Sequence, residues 1–384
     1  MTASPLQALP IERLRERTST KWRAYPADVL PLFVAETDFP LAPAITARLR
    51  AAVEIGDTGY TPPKPGIAEA YAGFARRRYG WEIDPAHVRS TGDVVMGLVE
   101  ILRATISPGD RVVITPPVYP PFYDLIPEAG GVVETVPLLA DAGYTLDLAG
   151  IEAALAGGAR AVLLCNPHNP TGTVHSRETL AELAEIAARH GAIVVSDEIH
   201  APLVHAPATF TPFLSASPVA ASVGYAVASA SKAFNLAGLK CALMSTAADH
   251  TRRVVQGLPK EVEWRTGHFG ALAGVAAFSP ESDEWLDALL AALDANRHLL
   301  ADLLAEHVPA ARYAIPDAGY LAWVDLSGLG WGEDPAERIL TEARVAVHHG
   351  PTFGDEGRGF VRVNFGCSPE VLREAIERIG ELSR

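Results

Sequence analysis

Three apolar segments of strand length, separated by turns and an amphipathic helix, constrain the fold more than any other feature of the chain. The segments are ARAVLLC from Ala159, AIVVS from Ala192 and GYAVASA from Gly224. Near-continuous apolar runs of this length are typical of strands buried on both faces of a parallel sheet. Between the first two, leucine and isoleucine recur at helical spacing from Ser176, a residue type that caps helices, to Gly191, which ends them. We therefore predict βαβ units and an α/β fold.

The segments on either side of this region predict two domains. Similar strand patterns occur at 111–115 and 131–136, so we predict a large α/β domain over residues 46–275, with a mostly parallel sheet covered by helices. Residues 276–384 contain a long amphipathic helix, two strand patterns and a final helix, which indicates a smaller α+β domain. Residues 1–45 are rich in proline and predict an N-terminal arm and part of the small domain.

Composition excludes several classes of function. The 384 residues carry a net charge of -14 and contain no basic stripe, so we expect no nucleic-acid partner. The start of the chain lacks a signal peptide and no apolar run reaches 18 residues, which predicts a cytoplasmic protein with no membrane partner. Three cysteines lie far apart, without the spacing of a disulfide framework or a zinc site, and we predict no metal.

Unusual polar residues follow each of the three apolar segments. Asn166 and Asn169 follow the first, Asp197 follows the second, and Ser229 to Lys232 follow the third. Each has an ordinary explanation when taken alone, as a turn, an N-cap or a surface lysine. In an open parallel sheet, however, the carboxyl ends of the strands meet at one edge, where ligands bind. The joint occurrence therefore favours a functional site.

The motifs that contain these residues carry a family resemblance. NPHNPTG, SDEIH and SASKAFNLAGLK, in this order, resemble the fold-type I pyridoxal-phosphate enzymes of the class I/II aminotransferase superfamily. SDEIH together with KWRAYPADVLPLFVAETDFP and GYTPP resembles its cystathionine β-lyase-like carbon–sulfur lyases. The resemblance extends from about residue 21 to residue 380. It implies an aspartate-aminotransferase-like fold, pyridoxal 5'-phosphate as cofactor, and a homodimer with active sites shared between subunits.

The resemblance implies roles for the residues around the cofactor ring. Lys232 is the implied catalytic residue: it would hold the cofactor aldehyde as a Schiff base and then move the Cα proton of the substrate. Desolvation at a strand end favours the neutral amine that both tasks need. Asp197 would face the pyridine nitrogen and keep it protonated. Asn169 would donate to the 3' oxygen of the ring. His200 stands where many relatives carry a tyrosine that serves the same oxygen.

A second set of residues matches the phosphate contacts of the family. These are Ser229, Lys240, the amides of Val94 and Val95, and Tyr60. The amides begin a predicted helix, whose N-terminus attracts anions. Relatives usually carry arginine at the position of Lys240. Tyr60 resembles a tyrosine that reaches the phosphate from the neighbouring subunit. Asp93 beside the amides conflicts with this role, because a carboxylate would repel phosphate unless it points away.

The remaining implied contacts concern the substrate. Tyr119 would stack on the ring, with Tyr123 as a competitor for that role. Arg362 lies in an apolar strand pattern and would bind the substrate α-carboxylate through two hydrogen bonds. The backbone at Ala35 would complete the carboxylate pocket. Together with Asn169, these residues form the implied substrate site.

The resemblance implies a pyridoxal-phosphate-dependent carbon–sulfur β-lyase that cleaves cystathionine or another cysteine S-conjugate to thiol, pyruvate and ammonia. An aminotransferase with the same cofactor site is the alternative, and a non-catalytic regulator that retains the fold is a third possibility. The lyases more often read Ala-Asp-Met-Asp-Phe where this chain has Glu36 and Thr37, which leaves the substrate open. We expect His348 and His349 to lie on a surface loop near the mouth of the cleft.

Overall fold

A computed structural model describes residues 5–383 of the chain. Its strands follow in chain order: β1 Leu30–Pro31, β2 Val88–Thr91, β3 Arg111–Ile114, β4 Val132–Thr135, β5 Ala161–Cys165, β6 Ile193–Asp197, β7 Gly224–Ala228, β8 Ala242–Ser245, β9 Arg312–Tyr313, β10 Leu321–Asp325, β11 Val345–Ala346, β12 His348–His349 and β13 Phe360–Asn364.

The α-helices of the same residues also follow in chain order: α1 Ile11–Leu14, α2 Thr20–Arg23, α3 Pro43–Glu54, α4 Ile67–Tyr79, α5 Val94–Thr105, α6 Phe122–Glu128, α7 Leu148–Ala156, α8 Arg177–Arg189, α9 Phe213–Ala216, α10 Pro218–Val223, α11 Asp249–Gln256, α12 Lys260–Trp264, α13 His268–Ala277, α14 Asp283–His307, α15 Pro335–Arg338 and α16 Pro369–Glu381. None of the helices in residues 5–383 is both long and apolar enough to cross a membrane.

A seven-stranded sheet forms the centre of the larger part of the molecule, with strand order β2-β8-β7-β6-β5-β3-β4. Strands β7, β6, β5, β3 and β4 run parallel, whereas β8 runs antiparallel to both of its neighbours. The α/β prediction is confirmed. Strands β5 and β7 are buried along their whole length, whereas β4, at the edge of the sheet, is partly exposed.

Alternation along the central strands builds two cores, one on each face of the sheet. Leu163 and Val195 belong to the cluster that packs under α5, whereas Val162 and Val194 belong to the cluster on the opposite face. Successive side chains of a strand point to opposite faces, so an all-apolar strand needs helices on both. Helix α8 covers one face, and its N-cap is Ser176, whose Oγ accepts a hydrogen bond from Thr179 N at 3.1 Å.

The C-terminal part forms a second, antiparallel sheet of strand order β12-β13-β10-β9, and α14 and α16 pack against each other. The N-terminal segment joins this part, because β1 pairs in parallel with β11. A buried ion pair anchors the segment: Lys21 Nζ lies 2.8 Å from Asp38 Oδ1. This arrangement agrees with an N-terminal arm that belongs partly to the small domain, and the domain bounds themselves stay a prediction.

Candidate active site

A cavity of about 460 Å³ opens at the carboxyl ends of β5, β6 and β7. A volume in this range is typical of sites for small molecules. Of the twelve residues that the sequence assigns to the site, eleven line the cavity: Ala35, Val94, Val95, Tyr119, Asn169, Asp197, His200, Ser229, Lys232, Lys240 and Arg362. The exception is Tyr60, which is fully exposed and lies outside the cavity of its own chain.

Lys232 follows β7 by four residues and extends its amine to the backbone of the N-terminal segment. Its Nζ donates a hydrogen bond to Ala35 O at 3.1 Å. Burial, and then the nearby positive charge of Arg362, lower the pKa of Lys232 to about 8. Tyr320 donates to the same carbonyl, with its hydroxyl 3.0 Å from Ala35 O. The amine is therefore held in place and is partly neutral near physiological pH.

Asp197 is the last residue of β6 and is buried, with Ile199 N donating to its Oδ1 at 3.1 Å. Burial raises the pKa of this carboxyl group to about 7, although the Ile199 bond and the charge of Lys232 oppose the shift. No lysine, arginine or histidine nitrogen of residues 5–383 forms an ion pair with it within 4 Å. A cationic group inside the cavity would remove this cost of burying the charge.

Arg362 and Asn169 form a buried pair on the wall of the cavity. Arg362 Nη1 donates to Asn169 Oδ1 at 3.1 Å, and its Nη2 donates to Phe33 O at 3.1 Å. The guanidinium also lies over the ring of Phe353, 5.0 Å from its centroid. Since the Asn169 oxygen accepts from arginine, its amide nitrogen is left as a donor. Arg362 Nε is buried without a partner in the described part of the chain.

His200 adds a neutral nitrogen to the site. Its ring is buried, and burial lowers its pKa to about 3. Within residues 5–383 its Nδ1 has no hydrogen-bond partner. A buried polar atom without a partner costs free energy, so this atom is suited to a ligand group.

The other end of the cavity combines the start of α5 with Lys240 and Ser229. The N–H groups of the first turn of a helix have no partner within the helix, which leaves the amides of Val94 and Val95 available. Ser229 Oγ donates to Cys241 O at 2.7 Å. Asp93 does not point away: it lines the cavity, and its Oδ2 lies 2.9 Å from Lys240 Nζ.

The lining of the cavity separates the two candidate tyrosines and includes His348. Tyr119 lines the cavity, whereas its competitor Tyr123 bonds to Phe353 O at 3.4 Å and lies outside it. The prediction of a surface loop at His348 is wrong. His348 lies in β12, lines the cavity and brings its Nδ1 within 3.5 Å of Arg362 Nη2, because β12 pairs with β13.

The fold and the site together define the class of the protein. The profile of the family "Aminotransferase class I and II" matches residues 28–379, and the chain belongs to this family. A crystal structure from Corynebacterium diphtheriae, provisionally described as a PLP-dependent beta-cystathionase, superposes with a TM-score of 0.94 at 35% identity and covers 98% of both chains. The predicted aspartate-aminotransferase-like fold is confirmed.

Two sequence relatives indicate the subgroup of the family that this chain resembles. A Mycobacterium leprae protein provisionally named a cystathionine beta-lyase is 44% identical and covers 99% of this chain and 98% of its own. The Cystathionine beta-lyase of Corynebacterium glutamicum is 37% identical and covers 97% of this chain and 98% of its own. The resemblance to the cystathionine β-lyase-like subgroup is therefore confirmed.

Proposed function

We propose that the protein is a pyridoxal-phosphate-dependent carbon–sulfur β-lyase, which cleaves cystathionine or another cysteine S-conjugate to thiol, pyruvate and ammonia. The observation that carries the proposal is the placement of three groups around one cavity: the partly neutral amine of Lys232, the buried acid of Asp197 and the guanidinium of Arg362. The relatives named cystathionine β-lyase support the lyase over the aminotransferase alternative.

The residues present fit the cofactor. Asp197 is a buried carboxyl group without a cationic partner among the described residues, which suits a protonated pyridine nitrogen. The unpartnered His200 Nδ1 and the free amide donor of Asn169 suit the 3' oxygen of the ring. Lys232 would hold the cofactor covalently through its amine. When bound, the cofactor supplies an electron sink that makes the Cα proton of an amino acid removable.

Other residues of the cavity would bind the phosphate of the cofactor and cover the face of its ring. The amides of Val94 and Val95, with Lys240, would bind the phosphate, and the Ser229 hydroxyl would join them by turning from Cys241 O. Tyr119 would cover the ring. Helix N-termini bind phosphate because their amides are free and their dipole is positive.

The substrate would be oriented by its carboxylate. Arg362 is buried and already fixed by Asn169 and Phe33, so it offers its planar donors without further ordering. The backbone at Ala35 would complete the pocket. Once the cofactor is bound to the substrate instead, the Lys232 amine would be free to take the proton from Cα, and the C–S bond at Cβ would break with its electron pair leaving on sulfur. Because the pKa of this amine is near 8, it can accept and release a proton close to neutral pH.

A turnover assay separates the two reactions. The full-length protein is loaded with pyridoxal phosphate and incubated with a cysteine thioether in the absence of any 2-keto acid. We expect catalytic release of pyruvate and free thiol, and loss of both in Lys232→Ala but not in Lys260→Ala, which changes an exposed lysine outside the cavity. Strict dependence on an added 2-keto acid would instead establish the aminotransferase.

We also propose a cytoplasmic homodimer with shared active sites. The three cysteines are free thiols, which supports a reducing compartment. Tyr60 is fully exposed in the single chain, and Ile55 and Trp264 are largely exposed, so a dimer interface that covered them would remove apolar surface from water. Mixing Lys232→Ala with Tyr60→Ala subunits tests the sharing. If Tyr60 serves the partner's site, hybrid dimers contain one site with both residues intact and recover activity.

A further inference from the structure

We propose that the Asp93 carboxylate competes with the cofactor phosphate for Lys240, so that the chain limits its own affinity for phosphorylated ligands. The inference rests on the proposed function, because it concerns the phosphate end of the same cavity. Asp93 is the residue whose negative charge, in the sequence analysis, conflicts with a phosphate site.

Asp93 is held in the cavity by both of its carboxylate oxygens. Oδ1 accepts a hydrogen bond from Met96 N at 2.9 Å and caps α5, while Oδ2 lies 2.9 Å from Lys240 Nζ. The side chain cannot turn away from the cavity without losing the cap, and an N-cap stabilises a helix by about 1 kcal/mol. The negative charge therefore stays at the entrance to the α5 amides.

Lys240 is the cation available to a phosphate at this end. The other two cations that line the cavity have different roles in the proposed function: Lys232 would hold the cofactor covalently, and Arg362 would bind the substrate carboxylate. A phosphate that binds beside α5 must therefore share Lys240 with Asp93. The ammonium, which is half exposed, has to leave or divide its present ion pair to do so.

The charge of Asp93 also acts on the phosphate directly. A phosphate dianion held by the first turn of α5 lies within a few ångströms of this carboxylate, because Asp93 is the residue that caps the turn. Repulsion between one and two negative charges at about 5 Å, screened as in water, corresponds to roughly a tenfold loss of affinity. Removing the charge of Asp93 should therefore raise the affinity for the phosphate about tenfold.

Asp93→Asn isolates the charge from the cap. Asparagine caps helices as well as aspartate does, so the bond to Met96 N is kept while the charge is lost. Asp147→Asn is the matched control. Asp147 caps α7 in the same way, with Oδ1 accepting from Gly150 N at 2.9 Å, but it does not line the cavity.

The test compares two ligands that differ only in the phosphate. The full-length variants, freed of cofactor, are titrated with pyridoxal phosphate and with pyridoxal, and the dissociation constants are read from absorbance. We expect Asp93→Asn to bind pyridoxal phosphate about tenfold more tightly and pyridoxal unchanged. Asp147→Asn should match the wild type with both ligands, and Lys240→Gln should weaken binding of pyridoxal phosphate alone.

Each other outcome overturns the competition. It is refuted if Asp93→Asn binds pyridoxal phosphate with unchanged or lower affinity, or if both ligands gain equally, since the effect would then not act through the phosphate. Failure of the proposed function has a different signature: wild-type protein that binds neither ligand, or whose borohydride-trapped label is not on Lys232. A wild type that binds and traps normally, with no gain in Asp93→Asn, overturns the competition alone.

Discussion

The depressed pKa of Lys232 leads to a quantitative prediction about its reactivity. Burial is the main cause of the shift and the positive charge of Arg362 is the second, while Glu36 and Asp197 oppose it. With a pKa of about 8 instead of 10.5, the neutral fraction at pH 7 is about one tenth, against about three in ten thousand for an ordinary lysine. The neutral amine is therefore roughly 300-fold more abundant at pH 7 than in a lysine with the ordinary pKa.

Competitive labelling measures this fraction. Cofactor-free protein is treated with a trace of acetic anhydride between pH 6 and pH 11, and acetylation of the peptide that contains Lys232 is quantified by mass spectrometry. The labelling rate should reach a plateau with a midpoint near pH 8. Arg362→Met should move the midpoint upward, because it removes a positive neighbour, whereas Arg358→Met, at an exposed arginine paired with Glu333 and Asp355, should not.

Two results would refute the reasoning. A labelling rate that still rises tenfold per pH unit up to pH 10 would mean that the fold does not desolvate the amine. An unchanged midpoint in Arg362→Met, with the fold intact by circular dichroism, would mean that Arg362 does not contribute to the shift.

Three further predictions concern other parts of the molecule. Asp197→Asn should lower kcat in the thioether assay by at least about a hundredfold while the cofactor still becomes linked to Lys232, as seen by absorbance and by borohydride trapping. Lys21→Met leaves Asp38 buried without its partner and should lower the free energy of unfolding in urea by about 3–5 kcal/mol, whereas Lys21→Met combined with Asp38→Leu should recover most of it. Ser176→Ala removes the cap of α8 and should cost about 1 kcal/mol in the same assay.

These predictions also have contrary outcomes. Full turnover in Asp197→Asn would show that the ring nitrogen needs no acid in this site. Equal losses of stability in the single and double variants at residues 21 and 38 would place the cost in packing and not in an unpaired charge. A Ser176→Ala protein as stable as the wild type would show that solvent replaces the cap.

The central strands and the edge at which the site lies could be predicted from the sequence, because both depend on local patterns. Continuous apolar runs identified β5, β6 and β7, and the polar residues that follow them met in one cavity because parallel strands end together. Asp197 is the clearest example, since the apolar strand before it fixes its position.

Residues whose role depends on distant parts of the chain could not be found in this way. Tyr320 precedes an apolar strand and reads as a core residue, and its bond to Ala35 spans 285 positions. His348 enters the cavity because β12 pairs with β13, a pairing that no local pattern predicts. The ion pair of Asp93 with Lys240 joins residues 147 positions apart, although the cap that orients Asp93 is local.

The carbonyl groups of the N-terminal segment have a consequence for synthesis on the ribosome. Ala35 O accepts hydrogen bonds from Lys232 and Tyr320, which follow it by 197 and 285 positions. Phe33 O accepts one from Arg362, 329 positions later. These carbonyl groups are thus synthesised long before the side chains that donate to them. A prematurely terminated polypeptide that stops before β13 contains most of the molecule and still lacks a finished catalytic pocket.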